Sequence, residues 1–198
     1  MIITLSGVPC SGKGTCVSIL KNKYVFDSIS TGDLYRQEAK KVGMDVLEFN
    51  QKNKDYDIDK KIDDMSKEIG KKRKDDKLIF DSRMAWFFVP YSFKVFITIP
   101  HDVMAERLYN SDRDIKEKSS SKEEAKRRLI SRFDEENKRY RLLYGVDNTN
   151  LGNYDFVIDN SNMTPEETAD AIYDEYKKFC IKNNVNLVDW SKKYYYNS

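Results

Sequence analysis

Residues 7–15, Gly7-Val8-Pro9-Cys10-Ser11-Gly12-Lys13-Gly14-Thr15, decide the fold expected of this chain. They follow a short apolar run, residues 2–6, and precede a helical pattern, residues 16–20. Strand, glycine loop and helix in that order predict a phosphate-binding P-loop. Small residues let successive backbone N–H groups converge on one anion, and the helix N-terminus adds partial positive charge. Lys13 would supply a full charge to the outer phosphates of a nucleotide. A chance strand–turn–helix with glycines is the alternative, and the complete motif argues against it.

The loop departs at one position from the common pattern G-x-x-x-x-G-K-[ST]. Gly14 stands where most P-loops carry a metal-binding Ser or Thr, and Thr15 follows one residue later. A glycine has no side chain with which to bind a metal ion.

A second candidate group follows the apolar run Leu78-Ile79-Phe80, which predicts a buried strand. The strand ends in Asp81, and in P-loop proteins an Asp at the end of a strand beside the first commonly holds Mg²⁺ or one of its waters. Arg83 follows two residues later. Both therefore belong to the carboxyl end of the strand, where ligands of open α/β sheets bind.

Composition indicates one globular domain of 198 residues, with 39% hydrophobic and 34% charged residues. The net charge of +2 does not call for nucleic acid or a membrane as partner. The three cysteines, Cys10, Cys16 and Cys180, lack metal-ligand spacing and suggest reduced thiols in a cytoplasmic protein. No apolar run approaches the length of a membrane span.

Two helical stretches carry charges that could serve a phosphate site. Thr31-Gly32-Asp33 is a helix-start signal and places Arg36 one turn into a helix. Residues 43–76 are polar and helical in character, and we expect them to form a small excursion that folds over a site. By itself, an arginine such as Arg36 is more often a solvated surface residue.

The stretch 123–144 predicts a long helix with an apolar face. On another face Arg128, Arg132, Glu136 and Arg139 recur at intervals of four, four and three. Alone, this pattern favours a surface ladder of ion pairs. Beside a P-loop it also fits cations that close over polyphosphate.

The order of elements predicts the fold class. Five short strands alternate with helices and begin with the P-loop, which predicts an α/β doubly wound, five-stranded parallel sheet. The predicted strands cover residues 2–6, 25–30, 78–81, 94–99 and 154–159. The only histidine, His101, is expected to be structural because no orienting partner is evident.

Several stretches match, in chain order, those of a known enzyme class. They are residues 7–15 with the Lys-Gly-Thr ending, 30–36 (STGDLYR), 80–86 (FDSRMAW), 132–147 and 154–161. The chain resembles P-loop nucleoside monophosphate kinases, and specifically the archaeal-like cytidylate kinases. The match covers residues 1–180, and the tail 181–198 is outside it. Many members carry Glu-Gly-Arg where this chain has Asp81-Ser82-Arg83.

The resemblance implies a role for each group. The donor would be ATP, with its phosphates held by Gly7, Pro9, Cys10, Ser11, Gly12, Lys13, Gly14 and Thr15. Mg²⁺ would be held through water by Asp81. The acceptor monophosphate would be held by Thr31, Gly32, Asp33, Arg36 and Arg83, with Asp59 and Asp63 accepting from the cytosine amino group. Arg132 and Arg139, with Arg107 or Arg113, would close from the lid and act with Lys13 and Arg83 in catalysis.

The same resemblance implies one kinase domain with a monophosphate-binding segment at about 34–76 and a lid at about 110–140. Its partners would be small-molecule nucleotides, and we expect a monomer. CMP or dCMP is the expected acceptor, while the loop and arginines do not by themselves choose a base, so AMP, UMP or another small acceptor stays open. A binding module without turnover is a third alternative, although no Asn-Lys-x-Asp base motif is evident. Single-strand nucleic-acid binding through residues 71–74 and the C-terminal tyrosines would need a net basic face.

Overall fold

The computed structural model describes residues 1–44, 49, 57–110 and 121–185, apart from the side chain of Arg132. Its sheet has five strands in the order β2-β3-β1-β4-β5, and every pairing is parallel. The strands are β1 Ile3–Gly7, β2 Asp27–Ser30, β3 Leu78–Asp81, β4 Phe93–Thr98 and β5 Phe156–Asp159. This confirms the predicted α/β parallel sheet.

Helices connect the strands on both faces of the sheet. They are α1 Lys13–Tyr24, α2 Thr31–Lys41, α3 Asp57–Lys72, α4 Ala85–Phe88, α5 His101–Tyr109, α6 Lys122–Tyr144 and α7 Pro165–Lys182, with a short 3₁₀ turn at Leu151–Asn153. Within the described ranges, every helix is too short or too polar to cross a lipid bilayer.

Local sequence signals set the helix starts. The Ser30 hydroxyl accepts from the Asp33 backbone N–H at 3.3 Å and caps α2. Thr164 and Glu167 form a reciprocal capping box at α7, and Pro165 occupies its first turn. The start of α2 agrees with the helix-start signal predicted at residues 31–33.

The core lies on both faces of the central strand β1. On one face Ile3 and Leu5 pack with Leu20 of α1 and Ile172 of α7. On the other face Ile2 packs with residues of β3 and α4. All five residues of β1 are buried, Thr4 and Ser6 included, as is typical of a central strand in a parallel sheet. The three cysteines are buried and unbridged, and burial, helped by the nearby Asp81 charge, raises the pKa of the Cys16 thiol to about 12.

This topology places the phosphate loop at the carboxyl end of the central strand, β1. Leu5 pairs with Asp81 on β3, and Gly7 pairs with Ile97 on β4. The carboxyl ends of β1, β3 and β4 therefore meet where the loop begins, which is where α/β proteins bind ligands.

Candidate active site

The phosphate loop depends on two glycines for its shape. A Cβ at Gly7 would lie 2.5 Å from the carbonyl oxygen of Ile97, so only glycine fits beside β4. That oxygen also accepts from the Val8 backbone N–H at 3.1 Å, which anchors the loop. Gly12 has φ +82°, a left-handed conformation in which it caps the N-terminus of α1.

The loop encloses a small cavity of about 200 Å³. Its lining comprises residues 8–14 of the loop, Arg83 from the end of β3, and Leu129 and Phe133 of α6. Helix α6 therefore lies against the loop cavity through these two side chains. Of the residues predicted to hold the donor phosphates, all except Gly7 and Thr15 line this cavity.

Lys13 and Asp81 form an ion pair at the carboxyl end of the sheet, with Lys13 Nζ 3.4 Å from Asp81 Oδ1. Lys13 is the first residue of α1, so its full positive charge lies at the positive end of the helix dipole. The carboxylate thus balances the positive charge of Lys13 in this structure.

The residues around the loop fit a magnesium ion held chiefly by phosphates and water. Asp81 supplies one partly exposed carboxylate, and the buried Ser11 hydroxyl has no hydrogen-bond partner among the described residues. Oxygen atoms of this kind are the ligands Mg²⁺ prefers. No cluster of three or more His, Cys, Asp or Glu side chains able to hold a metal occurs in the described ranges. The protein therefore offers few ligands, as a nucleotide-bound Mg²⁺ requires.

Arg83 contacts two side chains of α6, those of Phe133 and Glu136. Its guanidinium lies over the Phe133 ring, 5.0 Å from the centroid. Arg83 Nη1 is 2.8 Å from Glu136 Oε2, an ion pair whose angles are not those of a hydrogen bond. The two side chains are only 21% and 15% exposed, so the pair is largely shielded from water.

Helices α3 and α6 are joined by two polar contacts. Arg139 Nη2 lies 3.4 Å from Asp59 Oδ1. One turn further along each helix, the Tyr144 hydroxyl donates a short hydrogen bond to Asp63. Burial raises the pKa of Asp63 to about 6; the hydrogen bond from Tyr144 opposes the shift and the Asp59 charge adds to it. Helices α3 and α6 are therefore in direct contact.

Arg36 lies apart from this group. It forms an ion pair with Asp33, three residues earlier on α2, and both side chains are 60% exposed. A Cβ at Gly32 would lie 3.5 Å from its guanidinium, so the glycine leaves room for that group. Arg83 pairs with Glu136 of α6, and Arg139 of α6 pairs with Asp59 of α3. Arg36 takes part in neither contact.

The predicted row of charges on α6 divides between two environments. Arg128 is exposed and pairs with Glu124 on the same helix, as a surface ladder would. Glu136 and Arg139 instead turn inward to Arg83 and Asp59. The side chain of Arg132 and all of Arg113 lie outside the described residues.

Several contacts of the candidate site residues were not foreseen from the sequence. Glu136 neutralises Arg83, Tyr144 binds Asp63, and Arg107 donates to the β5–α7 turn at Asn160. The one available signal was Glu136 itself, a lone acid inside a row of arginines.

The chain is similar to known proteins over most of its length. A family model described as an AAA domain matches residues 3–141. A cytidylate kinase of Methanosphaera stadtmanae is 33% identical over 185 residues, covering 92% of this chain and 99% of that protein. A cytidylate kinase of Sulfolobus acidocaldarius is 34% identical, covering 87% and 92%. The solved shikimate kinase of Bacteroides thetaiotaomicron shares the fold, with a TM-score of 0.63 at 13% identity over 89% of this chain and 98% of that one.

Proposed function

The chain belongs to the cytidylate kinase family of P-loop nucleoside monophosphate kinases, and from that premise we propose that it transfers the γ-phosphoryl group of ATP to CMP or dCMP. The proposal concerns the identity of the donor and the acceptor base. Nucleoside monophosphate kinase chemistry itself follows from the family.

One observation supports transfer to a second nucleotide, and the family supports cytosine as its base. Arg83, which is not part of the phosphate loop, lines the same cavity as the loop. A site for one nucleotide needs only the loop and Lys13. An additional arginine facing the loop cavity suits a second anion, which must meet the first for phosphoryl transfer.

The chemistry asked of these residues is electrostatic. Lys13 and the loop N–H groups would hold the β- and γ-phosphates, while Arg83 and Arg36 hold the acceptor phosphate. Arg139, with Arg132, would stabilise charge on the transferring group. Leu129 and Phe133 line the cavity with apolar surface and would help to exclude water, which would otherwise compete as acceptor.

Asp81 would hold Mg²⁺ through a water molecule, since Gly14 has no ligand to offer. When bound, the ion neutralises charge on the donor phosphates. Lys13, released from its ion pair with Asp81, would then turn to the γ-phosphate.

Asp59 and Asp63 are the groups we propose for base selection. Cytosine presents an exocyclic amino group, which can donate a hydrogen bond to a carboxylate. Both acids lie on the face of α3 that meets α6, and both now contact the lid helix through Arg139 and Tyr144. The acceptor base would share or replace those partners.

The test is an acceptor panel. CMP, dCMP, UMP and AMP are incubated separately with ATP and Mg²⁺, and every nucleotide product is separated by anion-exchange chromatography. We expect CDP or dCDP to form with the highest kcat/KM, and ADP to form in equal amount. A preference for AMP would replace the cytidylate assignment by an adenylate kinase. ATP binding without turnover of any acceptor would favour a nucleotide-binding module instead.

The remaining proposals concern the setting of the reaction. We expect a cytoplasmic monomer that acts on small-molecule nucleotides and has no nucleic-acid or membrane partner. Size-exclusion chromatography with light scattering would test the oligomeric state, and a gel shift at physiological salt would test nucleic-acid binding.

A further inference from the structure

We propose that Asn160, on the turn after β5, is a positioning residue that sets the orientation of the phosphate loop. This inference rests on the proposed use of a polyphosphate donor. Asn160 is 149 residues away from the loop in sequence and is 5% exposed. It is not among the residues that line the loop cavity, so it would act through the loop and not on the nucleotide.

The contact between them is a buried hydrogen bond. Asn160 Nδ2 donates to the backbone carbonyl oxygen of Ser11 at 2.9 Å. The turn itself is anchored, because the Asn160 backbone N–H donates to the Thr98 carbonyl at the end of β4, at 3.3 Å. The donor that grips Ser11 is therefore fixed to the sheet.

The bond matters because it controls a peptide plane. In a trans peptide the C=O of Ser11 and the N–H of Gly12 point in opposite directions, and the chain has no cis peptide bond. Because the Ser11 carbonyl points toward Asn160, the Gly12 N–H points away from Asn160. The carbonyl, whose partial negative charge would repel a phosphate, is kept outside the anion site.

The position needs this restraint because of the residue that follows it. Gly12 has φ +82° and no side chain to limit its rotation. A Ser11–Gly12 peptide plane without a fixed partner could rotate at little cost and turn the carbonyl inward. Asn160 removes that freedom before the donor arrives.

Arg107 orients the Asn160 amide. Its Nη1 donates to Asn160 Oδ1 at 3.1 Å, and its Nη2 donates to the Asn160 backbone carbonyl at 2.8 Å. Arginine can only donate, so the amide oxygen must face Arg107 and the amide nitrogen must face Ser11. An asparagine is used here as both donor and acceptor, which Asp cannot reproduce.

The test compares donor binding in Asn160→Asp and the wild-type protein by titration calorimetry, with ATP and with inorganic tripolyphosphate, in the absence of acceptor. Aspartate can still accept the hydrogen bond from Arg107 but cannot donate to Ser11. We expect the Kd for both ligands to rise about tenfold or more, the size of effect that loss of one buried hydrogen bond to an unreplaced acceptor produces. The KM for the acceptor should change less than twofold.

Asn148→Asp is the matched control. Asn148 is also fully buried and accepts from Trp86 Nε1 at 2.8 Å, away from the loop carbonyl. It should lower Tm while leaving the Kd for ATP unchanged. Asn160→Ser, which adds no charge, should reproduce the donor defect if Asn160→Asp does not fold.

A purely structural role for Asn160 would give a lower Tm with wild-type Kd values for ATP and tripolyphosphate, and that result overturns the inference. An equal loss of donor and acceptor affinity overturns it as well. If the wild-type protein binds ATP but phosphorylates no monophosphate, the proposed function fails while the Asn160 comparison still decides the present inference.

Discussion

Replacing Gly7 by alanine tests how closely the phosphate loop is built onto the sheet. The added Cβ would lie 2.5 Å from the carbonyl oxygen of Ile97, whereas a real Cβ stays at 3.0 Å or more from such an atom. Strand β1 or β4 must therefore move by at least about half an ångström. The obstructing atom is backbone, so no side-chain rotation can relieve the contact.

The cost has two contributions. Overpacking in a well-packed region costs about 1–3 kcal/mol. The same Ile97 carbonyl accepts from the Val8 N–H at 3.1 Å, and weakening that bond adds about 1 kcal/mol. We expect the free energy of unfolding to fall by about 2–4 kcal/mol, a large part of the roughly 5–15 kcal/mol typical of a domain.

Gly14→Ala is the matched control in the same loop. A Cβ at Gly14 meets no heavy atom within 4 Å, and the residue lies in the first turn of α1. Alanine favours a helix over glycine by up to about 1 kcal/mol, so stability should stay the same or rise slightly.

The assay is urea unfolding followed by circular dichroism, with and without ATP. Gly7→Ala should shift the midpoint down and should also weaken the stabilisation by ATP, because the loop begins at that residue. The reasoning is refuted if Gly7→Ala lies within about 0.5 kcal/mol of wild type, or if Gly14→Ala loses as much stability as Gly7→Ala.

Three further substitutions probe the chemistry. Lys13→Ala should lower kcat by roughly a hundredfold to a thousandfold while circular dichroism and Tm show a retained fold; near-normal kcat would remove Lys13 from catalysis. Arg36→Ala should raise the acceptor KM about tenfold, as loss of a charge-assisted contact would, with little change in Tm because the side chain is 60% exposed; an unchanged KM would exclude Arg36 from the acceptor site. Asp63 has a pKa raised to about 6 in the fold, so the folded state holds its proton more tightly and stability falls as pH rises from about 4 to 6. Asp63→Asn should therefore gain Tm relative to wild type across that interval and no further above it; a pH-independent difference would contradict the raised pKa.

Much of the fold could be predicted because its signals are local. Residues 7–15 contain the small residues, the lysine and the helix start that a phosphate loop needs, all in one short stretch of sequence. The capping residues Ser30 and Thr164 act on N–H groups three residues away. Strand positions were predicted to within one or two residues. The clearest signal was the apolar run of β3, a strand buried on both faces.

The charged row on α6 shows where prediction from periodicity ends. Spacing groups Arg128, Glu136 and Arg139 by their places along one helix, and it does not say what lies opposite each of them. The structure sends Arg128 to the surface and Arg139 to Asp59, 80 residues earlier in the chain. Such partners are decided by where another helix passes.

The sequence by itself determined the parallel α/β architecture, the phosphate loop and the candidate phosphate-binding residues Lys13 and Arg83. These depend on hydrogen bonds and burial patterns among neighbours in the chain. Only the tertiary structure decided which groups hold those residues in place: Asp81 beside Lys13, Glu136 against Arg83, and Asn160 on the Ser11 carbonyl. The physical reason is that each of these contacts joins segments distant in sequence, and short-range polar contacts form only after the sheet order has brought their strands and helices together.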